Sequence, residues 1–248
     1  MLLIFDLDGT LFMAKSVYIN VARMFYSEMG VPAPDDETLL RYAGRSLEEF
    51  FQKALRDGAD IGAARLRYLE LMRGEIAARG ELFPGAYDAV ARLARDGHVI
   101  EVCSNSPEEY IRMVLEHTAL TPFVSRYYSA EQRESKAELI QEMLGQPGQL
   151  GQLGQLEPVG PGANAIVIGD THGDVEAAHK NGLPAIAAAY GYGNKSMLAP
   201  AEYIADSPDE IVDCVNRHAM LLKEKRRERN GRKNEIQNGP QQHQCIKH

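Results

Sequence analysis

The sequence lacks the features that mark secreted or membrane-bound proteins. Only three of its 248 residues are cysteine, and none forms a CxxC pair: Cys103, Cys214 and Cys245. Isolated thiols are typical of reduced proteins rather than of a disulfide framework. No apolar run approaches the roughly 18 residues of a membrane span, and the N-terminal run stops at Asp6 without the basic region of a signal peptide. We therefore expect a cytoplasmic protein with no membrane partner.

Basic residues are scarce in most of the chain, whose formal net charge is -8. Eight of the 27 Lys and Arg residues lie in 223–248, against three Glu, so the first 222 residues hold 19 basic and 32 acidic residues. A body this acidic repels a phosphodiester backbone. Nucleic acid is therefore excluded as an expected partner of the core.

Two segments have compositions that predict little regular structure. Residues 145–156 repeat a Gly-Gln-Leu triplet, which is typical of a flexible loop. Residues 223–248 are basic, polar and poor in apolar side chains, and we expect a disordered tail there.

Apolar residues make up 44% of the chain, enough for a sizeable core, and short apolar runs bounded by turn residues predict strands. These runs are Leu2–Phe5, Val99–Cys103, Phe123–Tyr128, Ala165–Ile168, Pro184–Ala188 and Tyr203–Ala205. Amphipathic helical patterns lie between most of them, which is the alternation of βαβ units. We predict an α/β fold, a doubly wound parallel sheet with helices on both faces.

Residues 15–82 interrupt this alternation. They contain at least three amphipathic helical stretches and no convincing strand, with the stretches around 16–29, 46–56 and 61–78. We interpret them as a small all-helical cap domain inserted after the first strand of a core formed by 1–14 and 83–222. This cap would stand over the edge at which open α/β sheets bind ligands.

The string DLDGTL follows the first predicted strand directly and begins at Asp6. Side chains two residues apart in a strand point to the same side, so the carboxylates of Asp6 and Asp8 form a pair. A Mg²⁺ ion can neutralise such a pair, and one carboxylate can then attack phosphorus while the other transfers a proton. The alternative is that two aspartates merely end a strand. The motif, however, occurs by chance in a chain of this length with a probability on the order of 10⁻³.

From Met1 to about Ala219 the sequence resembles the haloacid dehalogenase superfamily, whose first motif is Asp-x-Asp-Gly-Thr. The resemblance implies that Asp6 is the nucleophile and becomes an aspartyl phosphate. It also implies that Asp8 is the general acid and base, with its backbone carbonyl on the metal. Thr10 of the same motif is a candidate phosphate-binding residue.

The second motif of the superfamily is a Ser or Thr at the end of a second apolar strand. Ser104 and Asn105 match it and are expected to donate hydrogen bonds to the transferring phosphoryl group. Ser106, followed by proline and two glutamates, has instead the pattern of a helix N-cap.

The third motif is a lysine that precedes the fourth strand. Lys136 fits this place, and its ammonium group would offset the negative charge of Asp6 and the phosphate. The proline that follows this lysine in many members is absent, so Arg126 and Lys180 remain alternatives.

The fourth motif is an apolar strand that ends in Gly-Asp, with a second Asp four residues later. The resemblance implies that Asp170 binds Mg²⁺ directly and that Asp174 binds it or orients its waters. Asp174 also has the position of an acidic residue at a helix N-terminus, and both interpretations can hold. His172 has no second histidine at ligand spacing, so we interpret it as a loop residue.

Together the motifs predict a Mg²⁺-dependent phosphatase acting on a small phosphate monoester. A helical insert at 15–82 is typical of the subgroup that contains phosphoglycolate phosphatases, β-phosphoglucomutases and haloacid dehalogenases, and Asp8 argues against dehalogenase chemistry. Arg45 in the cap could bind a substrate anion or simply be solvated. A phosphomutase, a pyrophosphatase or nucleotidase, and a non-catalytic phosphate-binding protein remain alternatives, as do a monomer and a homodimer.

Overall fold

The computed structural model describes residues 1–42, 47–55, 58–131, 133–145 and 164–237. Its centre is a six-stranded parallel sheet with the strand order β3-β2-β1-β4-β5-β6. The strands are β1 (Leu2–Phe5), β2 (Val99–Ser104), β3 (Val124–Ser129), β4 (Ala165–Gly169), β5 (Ala185–Ala188) and β6 (Tyr203–Ala205). Each strand begins and ends within one residue of its predicted position.

Helices cover both faces of this sheet. They are α1 (Ala14–Glu28), α2 (Asp36–Tyr42), α3 (Leu47–Ala54), α4 (Ile61–Arg79), α5 (Ala86–Arg95), α6 (Glu108–His117), α7 (Lys136–Gly145), α8 (His172–Lys180) and α9 (Pro208–Gln237). Leu3 and Phe5 of β1 face the apolar cluster that α5, α6 and α9 complete. Leu2 and Ile4 face the opposite cluster, which contains side chains of α7 and α8. The predicted doubly wound α/β fold is confirmed.

The helical stretch after β1 contains α1 to α4. Its centre is an aromatic cluster of Phe25, Phe50, Phe51 and Tyr68, whose ring centroids lie 5.1–5.9 Å apart. Helix α2 has only seven residues and begins beside Asp35, whose carboxylate accepts a hydrogen bond from the backbone of Thr38. Such a short helix has too few apolar positions to show a periodic pattern, so the sequence did not predict it.

The two segments that lead into and out of this helical stretch run side by side. The backbone N–H of Met13 donates to the carbonyl of Glu81 at 2.9 Å, and that of Phe83 donates to the carbonyl of Leu11 at 2.9 Å. The return point agrees with the predicted boundary near residue 82. The division into a core and a separate cap domain stays a proposal.

The predicted C-terminal disorder is wrong for residues 223–237, which continue α9. Composition indicated disorder because the segment cannot bury apolar surface, but Lys, Arg, Glu and Gln are good helix formers. A helix that is already nucleated by its packed first turns extends through them.

Residues 238–248 and most of the Gly-Gln-Leu segment lie outside the described residues, and Gly145 ends α7. None of the described helices combines the length and apolar content required to cross a bilayer.

We expect deletion of residues 226–248 to leave the melting temperature nearly unchanged. In the part of α9 whose side chains the structure describes, the residues of the hydrophobic core lie in the first two turns: Ile211, Val212, Cys214 and Val215. The contrasting change Ile211→Ala should lower the free energy of unfolding by about 2–5 kcal/mol, as is usual for truncation of a buried apolar side chain. Thermal and urea unfolding of both variants measure the difference. A large destabilisation by the deletion would mean that the C-terminal segment packs on the core.

Candidate active site

The predicted site residues meet at the carboxyl edge of the sheet. Asp6 directly follows β1, Ser104 ends β2, and Asp170 directly follows β4. Phe5 is in register with Val102 of β2 and Ile168 of β4, so the three neighbouring strands end at nearly the same level. This alignment brings together residues that are more than 160 positions apart in sequence.

The ammonium group of Lys136 lies between two carboxylates. Its Nζ is 2.5 Å from Oδ1 of Asp6 and 2.6 Å from Oδ1 of Asp174. Burial lowers the pKa of Lys136, but the attraction of Asp174 and Asp6 outweighs it and holds that pKa well above the usual value. Lys136 is therefore cationic at neutral pH.

The two alternatives to Lys136 lie away from this edge of the sheet. Arg126 pairs with Glu101 at 3.4 Å, and Lys180 pairs with Glu176 at 2.8 Å on the exposed face of α8. Of the three candidates, only Lys136 contacts Asp6.

Three carboxylates converge beside this lysine. Oxygen atoms of Asp6, Asp170 and Asp174 lie within 4.8 Å of one another. Burial, opposed by Lys136 but reinforced by the negative charges of Asp174 and Asp170, raises the pKa of Asp6 well above its usual value. Burial likewise raises the pKa of Asp170 to about 6. Three carboxylates against one ammonium leave an excess of buried negative charge.

Asp170 provides the clearest indication that this cluster fits a cation. Its Oδ2 accepts the backbone N–H of Tyr192 at 2.7 Å, while its Oδ1 is buried and has no hydrogen-bond partner among the residues that the structure describes. Buried polar atoms are usually satisfied, so an orphan oxygen among carboxylates indicates an additional ligand. A hard divalent cation with oxygen ligands satisfies this arrangement. The family resemblance implies that Asp8 contributes to the metal site through its backbone carbonyl. Its side chain is not part of this carboxylate cluster.

Asp174 has the predicted position at a helix N-terminus, and its predicted role at the metal stays a proposal. Its Oδ2 accepts hydrogen bonds from the backbone N and the Oγ1 of Thr171, at 3.0 and 2.6 Å, which closes a capping box at the start of α8. Its Oδ1 remains directed to Lys136. His172, predicted in a loop, is instead the first residue of α8, because Thr171 is the N-cap; its side chain is exposed, with Nδ1 3.3 Å from the carbonyl of Met197.

Close packing around Asp170 explains the glycine of the first motif. Gly9 has φ +88°, and a Cβ there would lie 2.3 Å from Oδ2 of Asp170. A Cβ on Gly191 would lie 2.3 Å from the Cβ of Asp170. Backbone from two loops therefore approaches this carboxylate more closely than any residue with a side chain permits.

Asp8 occupies a separate, hydroxyl-rich environment. Its Oδ1 accepts from Tyr110 at 2.6 Å, and its Oδ2 accepts from Ser106 at 2.7 Å and from Tyr18 at 3.2 Å. Burial raises the pKa of Asp8, and these hydrogen bonds oppose the rise without cancelling it. The Asp8 carboxyl group is therefore protonated at a higher pH than an ordinary aspartate.

The interpretation of Ser106 as a helix cap is wrong. Helix α6 begins at Glu108 with Pro107 as its N-cap residue, and no side-chain hydrogen bond caps it. The Ser106 hydroxyl donates to Asp8 instead. The local pattern predicts a hydroxyl oxygen that accepts from the helix backbone, but the rotamer of Ser106 is set by its charge-assisted hydrogen bond to a carboxylate distant in the sequence.

The predicted phosphate-binding residues differ in whether they line the cavity. Ser104 and Asn105 both line a cavity above Asp6, and the Oγ of Ser104 accepts the backbone N–H of Ser106 at 3.1 Å. Thr10 is fully buried and does not line this cavity; its Oγ1 lies 3.5 Å from Oδ2 of Asp6. The structure therefore does not support Thr10 as a direct substrate contact. Arg45 lies outside the described residues.

This cavity measures about 420 Å³ and joins the sheet edge to the helical stretch. Asp6, Asp8, Lys136, Asp170 and Asp174 all contribute to its wall. Its other lining residues are Ala14, Lys15, Tyr18, Glu37, Leu40, Arg41, Ser104, Asn105, Ser106, Thr171 and Tyr192. The sequence did not identify the lining residues from α1 and α2, because a lysine, a tyrosine or an arginine in an amphipathic helix is indistinguishable from a surface residue.

Comparison with known proteins places the chain in a family. The model of the haloacid dehalogenase-like hydrolases matches residues 3–188. A 5'-nucleotidase from Pseudomonas aeruginosa is 26% identical over 211 residues, which are 82% of this chain and 90% of the relative. A plasmid-encoded phosphoglycolate phosphatase from Cupriavidus necator is 25% identical over 225 residues, 88% and 90% of the two chains.

A solved haloacid dehalogenase-like hydrolase from Streptococcus pneumoniae is similar in structure. Its TM-score is 0.67 and its sequence identity 26%, covering 86% of this chain and 96% of that one. The chain belongs to the haloacid dehalogenase-like hydrolases. The predictions of this family, of its fold and of a phosphatase are confirmed.

We expect Asp170→Asn to weaken binding of a divalent cation and, at the same time, to raise the melting temperature of the metal-free protein. The substitution removes a ligand charge, but it also removes one of three negative charges buried around a single ammonium group. Calorimetric titration with Mg²⁺ and thermal unfolding in chelator measure the two effects. His172→Ala is the control and should alter neither. Weaker metal binding in the histidine variant than in Asp170→Asn would contradict an oxygen-only site.

Proposed function

We propose that the protein is a Mg²⁺-dependent phosphatase that hydrolyses a small phosphate monoester through a phosphorylated Asp6. The observation that carries this proposal is the position of Asp6 in the cavity wall. Lys136 contacts it at 2.5 Å, and Asp170 and Asp174 lie beside it. Asp8, two residues away, lines the same cavity with a separate set of hydrogen bonds.

Asp6, Asp170 and Asp174 would hold the metal, together with the backbone carbonyl of Asp8 that the family resemblance implies. When bound, the metal neutralises the clustered carboxylates and the charge on the transferring phosphoryl group. Lys136 offsets the same charge and favours the ionised form of Asp6. Ser104 and Asn105 would donate hydrogen bonds to the phosphoryl oxygens.

In the first step, a carboxylate oxygen of Asp6 forms a bond to phosphorus as the bond between phosphorus and the ester oxygen breaks. Asp8 gives its proton to the departing oxygen, so that an alcohol leaves rather than an alkoxide. In the second step, the ionised Asp8 takes a proton from water. The water oxygen bonds to phosphorus, the bond to Asp6 breaks, and inorganic phosphate leaves.

The cavity wall supports a small anionic substrate. Lys15 and Arg41 lie on the helical side, where Lys15 stacks over the ring of Tyr192 and Arg41 donates to the hydroxyl of Thr38. They can offset a second negative group next to the phosphate, such as the carboxylate of 2-phosphoglycolate, the substrate named for the Cupriavidus necator relative. A nucleoside monophosphate is the second candidate, since the Pseudomonas aeruginosa relative is named a 5'-nucleotidase.

We expect Asp8→Asn to separate the two steps. The amide cannot exchange a proton, so turnover of alkyl phosphates should fall by roughly 10²–10⁴-fold. With 4-nitrophenyl phosphate, whose leaving group needs no acid, the first step should partly survive while the second stalls. Rapid mixing should show a burst of nitrophenolate, and mass spectrometry should find the added phosphoryl mass on the peptide that contains Asp6.

Asp6→Asn is the matched control and should give neither burst nor adduct. Equal turnover of alkyl phosphates by the wild type and Asp8→Asn would contradict the role of Asp8. An adduct on another residue would contradict the role of Asp6.

We expect Lys15→Gln to reduce the affinity for 2-phosphoglycolate selectively. A hydrogen bond to a charged group contributes about 1.5–3 kcal/mol, so KM should rise roughly 10-fold or more. KM for ethyl phosphate, which lacks the carboxylate, should change little. Lys180→Gln on the exposed face of α8 is the control for loss of a positive charge. If the wild type instead prefers nucleoside monophosphates, the nucleotidase alternative is correct.

A further inference from the structure

Three hydroxyl groups converge on the carboxyl group of Asp8 from three different elements. Tyr110 comes from α6, Ser106 from the segment between β2 and α6, and Tyr18 from α1 of the helical stretch. Tyr110 donates to Oδ1 at 2.6 Å and Ser106 to Oδ2 at 2.7 Å. Tyr18 lies 3.2 Å from Oδ2 and 2.9 Å from the Oγ of Ser106.

The positions of these hydroxyl groups are determined by packing. Tyr110 is 1% exposed and Ser106 4% exposed, so both hydroxyl groups are largely shielded from bulk water. The rings of Tyr18 and Tyr110 are stacked, with centroids 5.6 Å apart and planes 24° apart. Phe12 meets the Tyr110 ring edge-on at 6.4 Å. The donors are therefore preorganised, and Asp8 adapts to them.

A rigid carboxyl group matters most at this position. Asp8 exchanges a proton with two different partners, the leaving oxygen and then a water, and a misplacement of about 1 Å can cost roughly 10²-fold in rate. Lys136 orients Asp6 and Asp174, and Tyr192 orients Asp170, but none of these donors contacts the Asp8 side chain. Its orientation depends on the three hydroxyl groups.

We propose that Tyr110, Ser106 and Tyr18 are positioning residues that hold the Asp8 carboxyl group in the orientation required for proton transfer. Tyr110 and Ser106 belong to the core, whereas Tyr18 belongs to the helical stretch. The helical stretch therefore takes part in the proton-transfer step as well as in forming the cavity. This inference rests on the proposed role of Asp8.

Tyr110→Phe tests the inference, with Tyr68→Phe as the matched control. Tyr68 is also a buried tyrosine, but it lies in the aromatic cluster of the helical stretch and takes no part in the hydrogen bonds to Asp8. The measurement is the ratio of two rates at saturating Mg²⁺: turnover of ethyl phosphate, and the nitrophenolate burst with 4-nitrophenyl phosphate. Only the first needs proton donation to the leaving group.

We expect Tyr110→Phe to slow ethyl phosphate turnover about 10-fold or more, a part of the 10²–10⁴-fold that a general acid supplies. The burst rate should stay within about 2-fold of the wild type. Tyr18→Phe should shift the ratio in the same direction, and Tyr68→Phe should leave it unchanged. Ser106→Ala, which also removes a single hydroxyl group, provides the same test if Tyr110→Phe does not fold.

An equal decrease of both rates in Tyr110→Phe would overturn the inference, since a purely structural role affects the whole site. Unchanged rates would overturn it as well. The proposed function is judged separately, on the wild type. If the wild type phosphorylates Asp6 but the ratio of the two rates is unchanged in the variants, only the positioning role is contradicted. If the wild type does not phosphorylate Asp6, both the positioning role and the proposed function are contradicted.

Discussion

The excess of negative charge buried at the end of β1 is the constraint on which the rest of the site depends. Asp6, Asp170 and Asp174 share one ammonium group, that of Lys136, in a region largely closed to water. Isolated buried charges are costly, so each carboxylate needs a partner, a hydrogen bond or a cation. The capping box on Asp174 and the backbone donor to Asp170 satisfy one oxygen of each. Lys136 contacts the second oxygen of Asp174, so among the described residues Oδ1 of Asp170 is the oxygen left without a partner, and it can bind a cation.

The site divides two kinds of carboxylate chemistry between two environments a few residues apart. Asp6 lies among charges: burial and the carboxylates of Asp174 and Asp170 raise its pKa, whereas Lys136 opposes that rise and favours the ionised, nucleophilic form. Asp8 lies among neutral hydroxyl groups, which donate hydrogen bonds but supply no positive charge beside it. A nucleophile must stay ionised and a proton carrier must change its state, so the two roles need this difference. Both carboxylates nevertheless line the same cavity.

The sequence predicted the parts of the structure that depend on local pattern. The strands are short apolar runs, and Asp6, Lys136, Asp170 and Asp174 follow from linear motifs. The partners of Asp8 could not be predicted in this way, because Tyr110 is 102 residues away in the chain and meets Asp8 only after the sheet has formed. Two local signals gave wrong answers: the capping pattern at Ser106, and the polar composition after residue 223, which is also compatible with an extended helix. Thr10 follows the family motif, but the turn buries it beneath Asp6.

The paired segments at the base of α1 to α4 have an evolutionary consequence. Residues 11–13 and 81–83 run antiparallel and exchange backbone hydrogen bonds, so the helical stretch begins and ends at nearly the same place. A segment with adjacent ends can be lengthened, shortened or exchanged without breaking a hydrogen bond of the sheet. Mutations there change the wall of the cavity while the charged cluster at the end of β1 stays intact. A lineage that carries this arrangement can acquire new substrates without having to rebuild its chemistry.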